Sequence, residues 1–68
     1  MSISIEIGQR IREIRKNNGL TQEDLAGLAE IDRSFLSEIE NGHKNISVEI
    51  LKKIADALKV RVSLILGD

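Results

Sequence analysis

Two short stretches of helical periodicity, starting at Gln22 and at Arg33 and parted only by the break Glu30-Ile31-Asp32, leave this chain few ways to fold. Placed on a helix at about 100° per residue, Leu36 and Ile39 fall together with Phe35 at their margin. Arg33, Ser34, Ser37, Glu38 and Asn41 gather on the opposite side, so the segment has one apolar edge and one wholly polar face. Asp32 is suited to cap it, because its carboxylate can accept from the unpaired N–H groups of the turn that follows. In the preceding segment Thr21 can cap a helix beginning at Gln22. Leu25, Leu28 and Ala29 then recur at i, i+3 and i+4 as a buried stripe, and Ala26 is small enough for a close crossing. Two helices joined by about three residues pack at a steep angle, with Ala26, Ile31, Leu36 and Ile39 filling the corner.

The remaining segments are also helical. Ile7, Ile11 and Ile14 predict a first helix from about Ile5 to Asn17, with Ser4 as its cap and Asn18-Gly19 as its stop. Met1 to Ile7 also alternates apolar and polar, which leaves a short strand or ordered arm open. Asn41-Gly42-His43-Lys44-Asn45 reads as a loop. Ser47 then caps a fourth helix that runs to about Lys59, with Leu51, Ile54, Ala55 and Leu58 inward. Val60 to Leu66 gives a fifth helix of one or two turns, ended by Gly67-Asp68. Val62, Leu64, Ile65 and Leu66 are more apolar side chains than so short a helix can bury, so some are expected to face a partner.

At 68 residues the chain is expected to form one all-α domain, 1–68, near the lower limit for a single core without disulfides or metal. It has no cysteine, which excludes thiolate sites and fits a reducing cytoplasm. His43, the sole histidine, has only carboxylates as possible co-ligands, so no metal and no cofactor are expected. No apolar run approaches the roughly 20 residues of a membrane span, and the start does not resemble a signal peptide, so a cytoplasmic protein is expected. Ten Lys and Arg against eleven Asp and Glu give a formal charge of -1, and by itself that sum argues against a polyanionic partner. The distribution argues otherwise. Arg10, Arg12, Arg15 and Lys16 crowd the first helix, Arg33 and Lys44 flank the polar-faced helix, and Glu6, Glu49, Asp56 and Asp68 lie elsewhere.

The spacing of the second and third helices matches a helix-turn-helix, in which the first helix crosses a DNA backbone and the second enters the major groove. Leu20-Thr21-Gln22-Glu23-Asp24-Leu25-Ala26, then Ile39-Glu40-Asn41-Gly42, then Leu51, Ile54, Ala55, Leu58 and Val60, resemble in order and spacing the phage-repressor and Cro class of helix-turn-helix regulators. Asp32-Arg33-Ser34-Phe35-Leu36-Ser37 with His43-Lys44-Asn45-Ile46-Ser47 is similar to the controller proteins of restriction-modification systems. The resemblance implies a compact five-helix fold of the lambda-repressor type. The chain departs from that pattern at Glu30, where the family's turn usually holds glycine.

These assignments set the candidate roles. Arg33 can bridge O6 and N7 of guanine, with a phosphate contact as the alternative. Ser34 and Ser37 suit either a base edge or the backbone. Glu38 can accept from cytosine N4, exclude wrong sequences, or pair with Arg33. Phe35 is either core or, as the resemblance implies, an aromatic that reaches DNA, where a partly exposed ring can touch a thymine methyl or press on a flexible pyrimidine-purine step. Gln22, at a helix N-terminus, suits phosphate, and the resemblance implies the same. Glu23 and Asp24 are expected to turn away from DNA. Asn41, His43, Lys44, Asn45 and Arg10 are the further phosphate candidates. The resemblance also implies a structural ion pair between Arg15 and Glu40.

The function expected is a sequence-specific double-stranded DNA-binding regulator that acts as a homodimer on an inverted repeat. Val62, Leu64, Ile65 and Leu66 form its expected interface. An antitoxin with an apolar tail for its toxin, and a protein-interaction module that has kept the fold, are the alternatives. Catalysis is not expected, because no nucleophile-base pair or glycine-rich phosphate loop is present. No small-molecule effector is evident.

Overall fold

A computed structural model, which describes residues 2–67, shows five helices: α1 Ile3–Asn17, α2 Gln22–Ala29, α3 Arg33–Glu40, α4 Val48–Leu58 and α5 Val62–Leu66. Side-chain caps fix most of the starts. Thr21 and Asp24 close a capping box on α2, Asp32 accepts from the Ser34 N–H at 3.0 Å, and Ser47 accepts from the Ile50 N–H at 3.1 Å. The first helix starts earlier than expected. Ser2, not Ser4, accepts from the Ile5 N–H, and Ile3 and Ile5 are exposed helical residues. The strand or arm therefore gives way to α1 from Ile3 onward; Met1, where that reading began, and Asp68 lie outside the described residues.

Four of the helix ends share one geometry. After α2, the Ile31 N–H donates to the Ala26 carbonyl at 3.0 Å and the Glu30 N–H to that of Gly27 at 3.3 Å. After α4, Val60 bonds Ala55 and Lys59 bonds Asp56 in the same way, and Gly19 and Gly42 occupy the equivalent position after α1 and α3. This Schellman arrangement demands a left-handed residue just past the helix. Glu30, at φ 58° and ψ 44°, and Lys59, at φ 59° and ψ 41°, adopt it without being glycine. Each stores about 1 kcal/mol or more of backbone strain. The fourth helix accordingly ends at Leu58, with Lys59 as the turn.

The core is aliphatic. Ile11, Leu25, Leu36, Ile39, Ile54 and Ile65 are fully enclosed, with Ala26, Ala29, Ala55 and Leu58 filling the crossings. The first helix packs on α3 and α5, α2 on α3 and α4, and α4 on α5. Gly8 permits the tightest approach: a Cβ there would collide with the Ile39 carbonyl oxygen and lie 2.8 Å from that of Glu40. The backbone of α1 thus rests directly on the end of α3, and any side chain at Gly8 would push the two apart. Leu28, expected in the buried stripe, is instead 59% exposed. It sits at the edge of the α2 contact arc, while Leu25, Ala26 and Ala29 take the inward positions. No helix among the described residues is long and apolar enough to cross a membrane.

Candidate nucleic-acid interface

The third helix has the two-sided character its periodicity predicts. Leu36 and Ile39 are buried, Arg33 and Ser34 are exposed, Ser37 and Glu38 are half-buried, and Asn41 is exposed at the C-terminal cap. Arg33 lines a shallow open depression together with Thr21, Gln22 and Glu23, so the first turns of α2 and α3 share one surface. Glu23 is part of that surface rather than turned away from it. Asp24 is withdrawn into the capping box, accepting from the Thr21 N–H at 2.9 Å; that bond holds its carboxyl below the usual carboxylate range. Phe35 is half-buried and packs against the core, which leaves only part of its ring outward.

Continuous with this surface is a charged cluster, two of whose members, Arg15 and Gln22, line the same depression. Glu40, with its side chain fully enclosed, accepts from Arg15 through Nε at 2.7 Å and Nη2 at 3.0 Å, from Gln22 Nε2 at 3.1 Å and from Arg12 Nε at 3.4 Å. Burial pushes the Glu40 carboxyl upward, but the hydrogen bonds from Arg15 and Gln22, the Arg15 charge and the Arg12 bond outweigh it, and the group stays below its ordinary range. Arg15 also donates from Nη1 to the Leu20 carbonyl at 2.8 Å, which ties the end of α1 to the start of α2. Arg12 donates from Nη2 to Asn41 Oδ1 at 2.7 Å. Helices α1, α2 and α3 are therefore locked together by one carboxylate, and Gln22 is held in place by it.

Other candidates lie further out. His43, Lys44 and Asn45 are exposed in the loop between α3 and α4. Lys44 pairs with Glu38 at 3.5 Å, so the partner of Glu38 is Lys44 and not Arg33. Asn45 accepts from the Ser4 hydroxyl. Gly42, at φ 78°, brings this loop against Ile5, whose Cα would lie 2.9 Å from an added Cβ. Arg10 sits elsewhere. Its guanidinium reaches the Ile65 carbonyl at 3.5 Å and Glu6 at 4.0 Å, covering the C-terminal end of α5 rather than joining the α2 and α3 surface. On α5, Leu64 and Leu66 are 50% and 40% exposed and Val62 is half-buried, whereas Ile65 is completely buried and is core, not interface. In so short a helix, the one side chain aimed at α1 and α4 must close the core.

Arg12 is the residue that periodicity did not single out for this cluster. Its signal was present, since Arg12 and Arg15 stand three apart and so share a face of α1.

Comparison with known proteins gives a consistent answer. Residues 11–65 match the model of a helix-turn-helix family. The immunity repressor protein of Bacillus phage phi105 is 45% identical over 62 residues, covering 91% of this chain; the chain spans only 43% of that repressor's length. The restriction-modification controller protein C.AhdI from Aeromonas hydrophila superposes with a TM-score of 0.90 at 39% identity, covering 91% of this chain and 94% of its own. The controller protein C.Esp1396I, solved as a tetramer in complex with its natural 35 base-pair operator, superposes with a TM-score of 0.88 at 31% identity, covering 96% of this chain and 86% of its own. With its two short helices, their left-handed corner at Glu30 and the polar outer face of α3, the chain belongs to the helix-turn-helix family of transcriptional regulators that includes phage repressors and restriction-modification controllers.

Proposed function

We propose that the whole chain acts as one DNA-binding unit, a non-catalytic cytoplasmic regulator that binds an inverted-repeat operator as a homodimer through α3. The observation that carries this reading is the polar outer face of α3, with Arg33 beside the start of α2 on an open surface, while Leu36 and Ile39 anchor the same helix in the core. Arg33, Ser34, Ser37 and Glu38 are the candidate base contacts, and the outward edge of Phe35 suits a thymine methyl. Gln22, Asn41, His43, Lys44 and Asn45 are the candidate phosphate contacts, which set register. Arg10 is withdrawn from that group, because its guanidinium is engaged at α5. Leu64 and Leu66, with the edge of Val62, supply the apolar surface for a second copy. Two copies are needed because one α3 offers too few base contacts for genomic selectivity.

Selection of bound duplexes from a random pool tests this reading. The expected result is an inverted repeat whose half-site centres lie about 34 Å apart, bound with an affinity that falls steeply as salt rises. Recovery of random sequences, or an affinity indifferent to salt, contradicts it.

A further inference from the structure

The three arginines of α1 differ in how much hydrogen-bonding capacity the protein itself consumes. Arg10 is turned to the end of α5. Arg15 is buried, and its Nε, Nη1 and Nη2 all donate to Glu40 or Leu20. Arg12 is half-exposed, and of the five N–H groups of a guanidinium it commits one to Glu40 and one to Asn41, leaving the others without a hydrogen-bond partner among the described residues. The charges point the same way. Arg12, Arg15 and Glu40 together hold two cations and one anion, so one positive charge is left over at the surface of a chain whose net charge is -1. Glu40 Oε1 accepts from both Arg12 and Gln22, so the two share an anchor, and Asn41 bonds the Arg12 guanidinium directly.

We propose that Arg12 is a preset phosphate-binding side chain, held by Asn41 and Glu40 where α1, α2 and α3 meet, and that it takes a backbone phosphate of the duplex whose bases α3 contacts. This role rests on the DNA-binding reading of α3. A flexible surface arginine loses rotamer freedom when it grips a phosphate, whereas Arg12 is already ordered by its two partners, so its binding cost is lowered in advance. Glu40 does not cancel the attraction, because Arg15 neutralises it at 2.7 Å. A phosphate contact carries no sequence information, so Arg12 strengthens binding to all duplexes alike and fixes how α3 is set in the groove.

The test compares wild type, Arg12→Gln and Arg12→Lys in binding a duplex selected by the wild-type protein and a scrambled duplex, across a salt series. Arg12→Gln is expected to weaken both duplexes by the same factor and to make the slope of log K against log salt shallower by about 0.9 for each protomer bound. Arg12→Lys, which keeps the charge, is expected to keep the slope. A slope for Arg12→Gln equal to that of wild type overturns the proposal. If Arg12→Gln does not fold, the wild-type Arg12 Nε resonance decides: it is expected to shift on adding the selected duplex, and an unmoved resonance overturns the proposal. Wild-type protein that binds no duplex removes the DNA-binding reading and Arg12 with it. Wild-type protein that binds with a steep salt slope, beside an unchanged Arg12→Gln, removes the Arg12 role alone.

Discussion

Arg15 and Glu40, both buried, meet through two hydrogen bonds of 2.7 and 3.0 Å that join the end of α1 to the last residue of α3. Such a pair adds little over an apolar one, yet removing one member strands the other. Arg15→Ala is therefore expected to cost about 3 to 5 kcal/mol in urea denaturation, and Arg15→Ala with Glu40→Ala together less than the sum of the single losses. Additive losses would show that the two do not act as a unit.

The same pair makes stability depend on acid. Glu40 is held below its ordinary value of 4.5, so its contribution is complete above that pH and is lost as the pH falls through the lower folded value. Asp24 titrates in the same sense through its bond with Thr21. Thermal melts of wild type are expected to weaken progressively below about pH 4.5, and Glu40→Gln to lower the neutral-pH melting temperature while flattening that acid limb. An acid limb equally steep in Glu40→Gln would assign the effect to other carboxylates.

Backbone packing gives a sharper expectation at Gly8. Its missing Cβ is what lets α1 rest on the carbonyl groups of Ile39 and Glu40, and backbone cannot rotate aside as a flexible side chain can. Gly8→Ala is expected to destabilise the fold by about 1 to 3 kcal/mol or more, although alanine is the better helix former. Unchanged stability would mean that α1 and α3 can separate without cost.

Much of this architecture was legible because caps and apolar spacing are local signals. Thr21, Asp32 and Ser47 each start the helix their chemistry predicts, and Leu36 and Ile39 are as buried as their periodicity requires. What escaped depends on contacts between segments. Leu28 has the right spacing but lies at the margin of the α2 contact, and Ile65 looks like its exposed neighbours until α1 and α4 close over it. Ser2 and Ser4 are chemically equivalent caps, and nothing local chooses between them. The Arg12 bond to Asn41 spans 29 positions, and Arg10 reaches across 55, so a helical wheel, which sets Arg12 beside Arg15, names neither of these distant partners.

Glu30 and Lys59 offer a direct check on turn strain. Both occupy left-handed positions that glycine fills without a Cβ penalty. Glu30→Gly and Lys59→Gly are each expected to raise stability by about 1 kcal/mol, with the helix content unchanged by circular dichroism. A loss of stability in either would show that its side chain contributes more than the strain it imposes.

Helix α5 sets a fully buried side chain, Ile65, between two exposed ones, Leu64 and Leu66, which are the proposed contact with a second copy. Leu64→Asp and Leu66→Asp are expected to shift the protein toward monomer in sedimentation equilibrium with little change in the melting of the monomer. Ile65→Ala is expected to cost about 2 to 5 kcal/mol of fold stability. A Leu64→Asp, Leu66→Asp protein that remains as dimeric as wild type would place the interface elsewhere.

The most direct measurement of the central claim is a set of amide NMR spectra of the isotopically labelled chain as a selected duplex is added. The largest shifts are expected at Gln22, Arg33, Ser34, Ser37 and Asn41, with Leu51 and Ile54, buried on α4, nearly still. Shifts confined to α5, or absent from Arg33 to Asn41, would contradict the assignment of α3 as the DNA-reading helix.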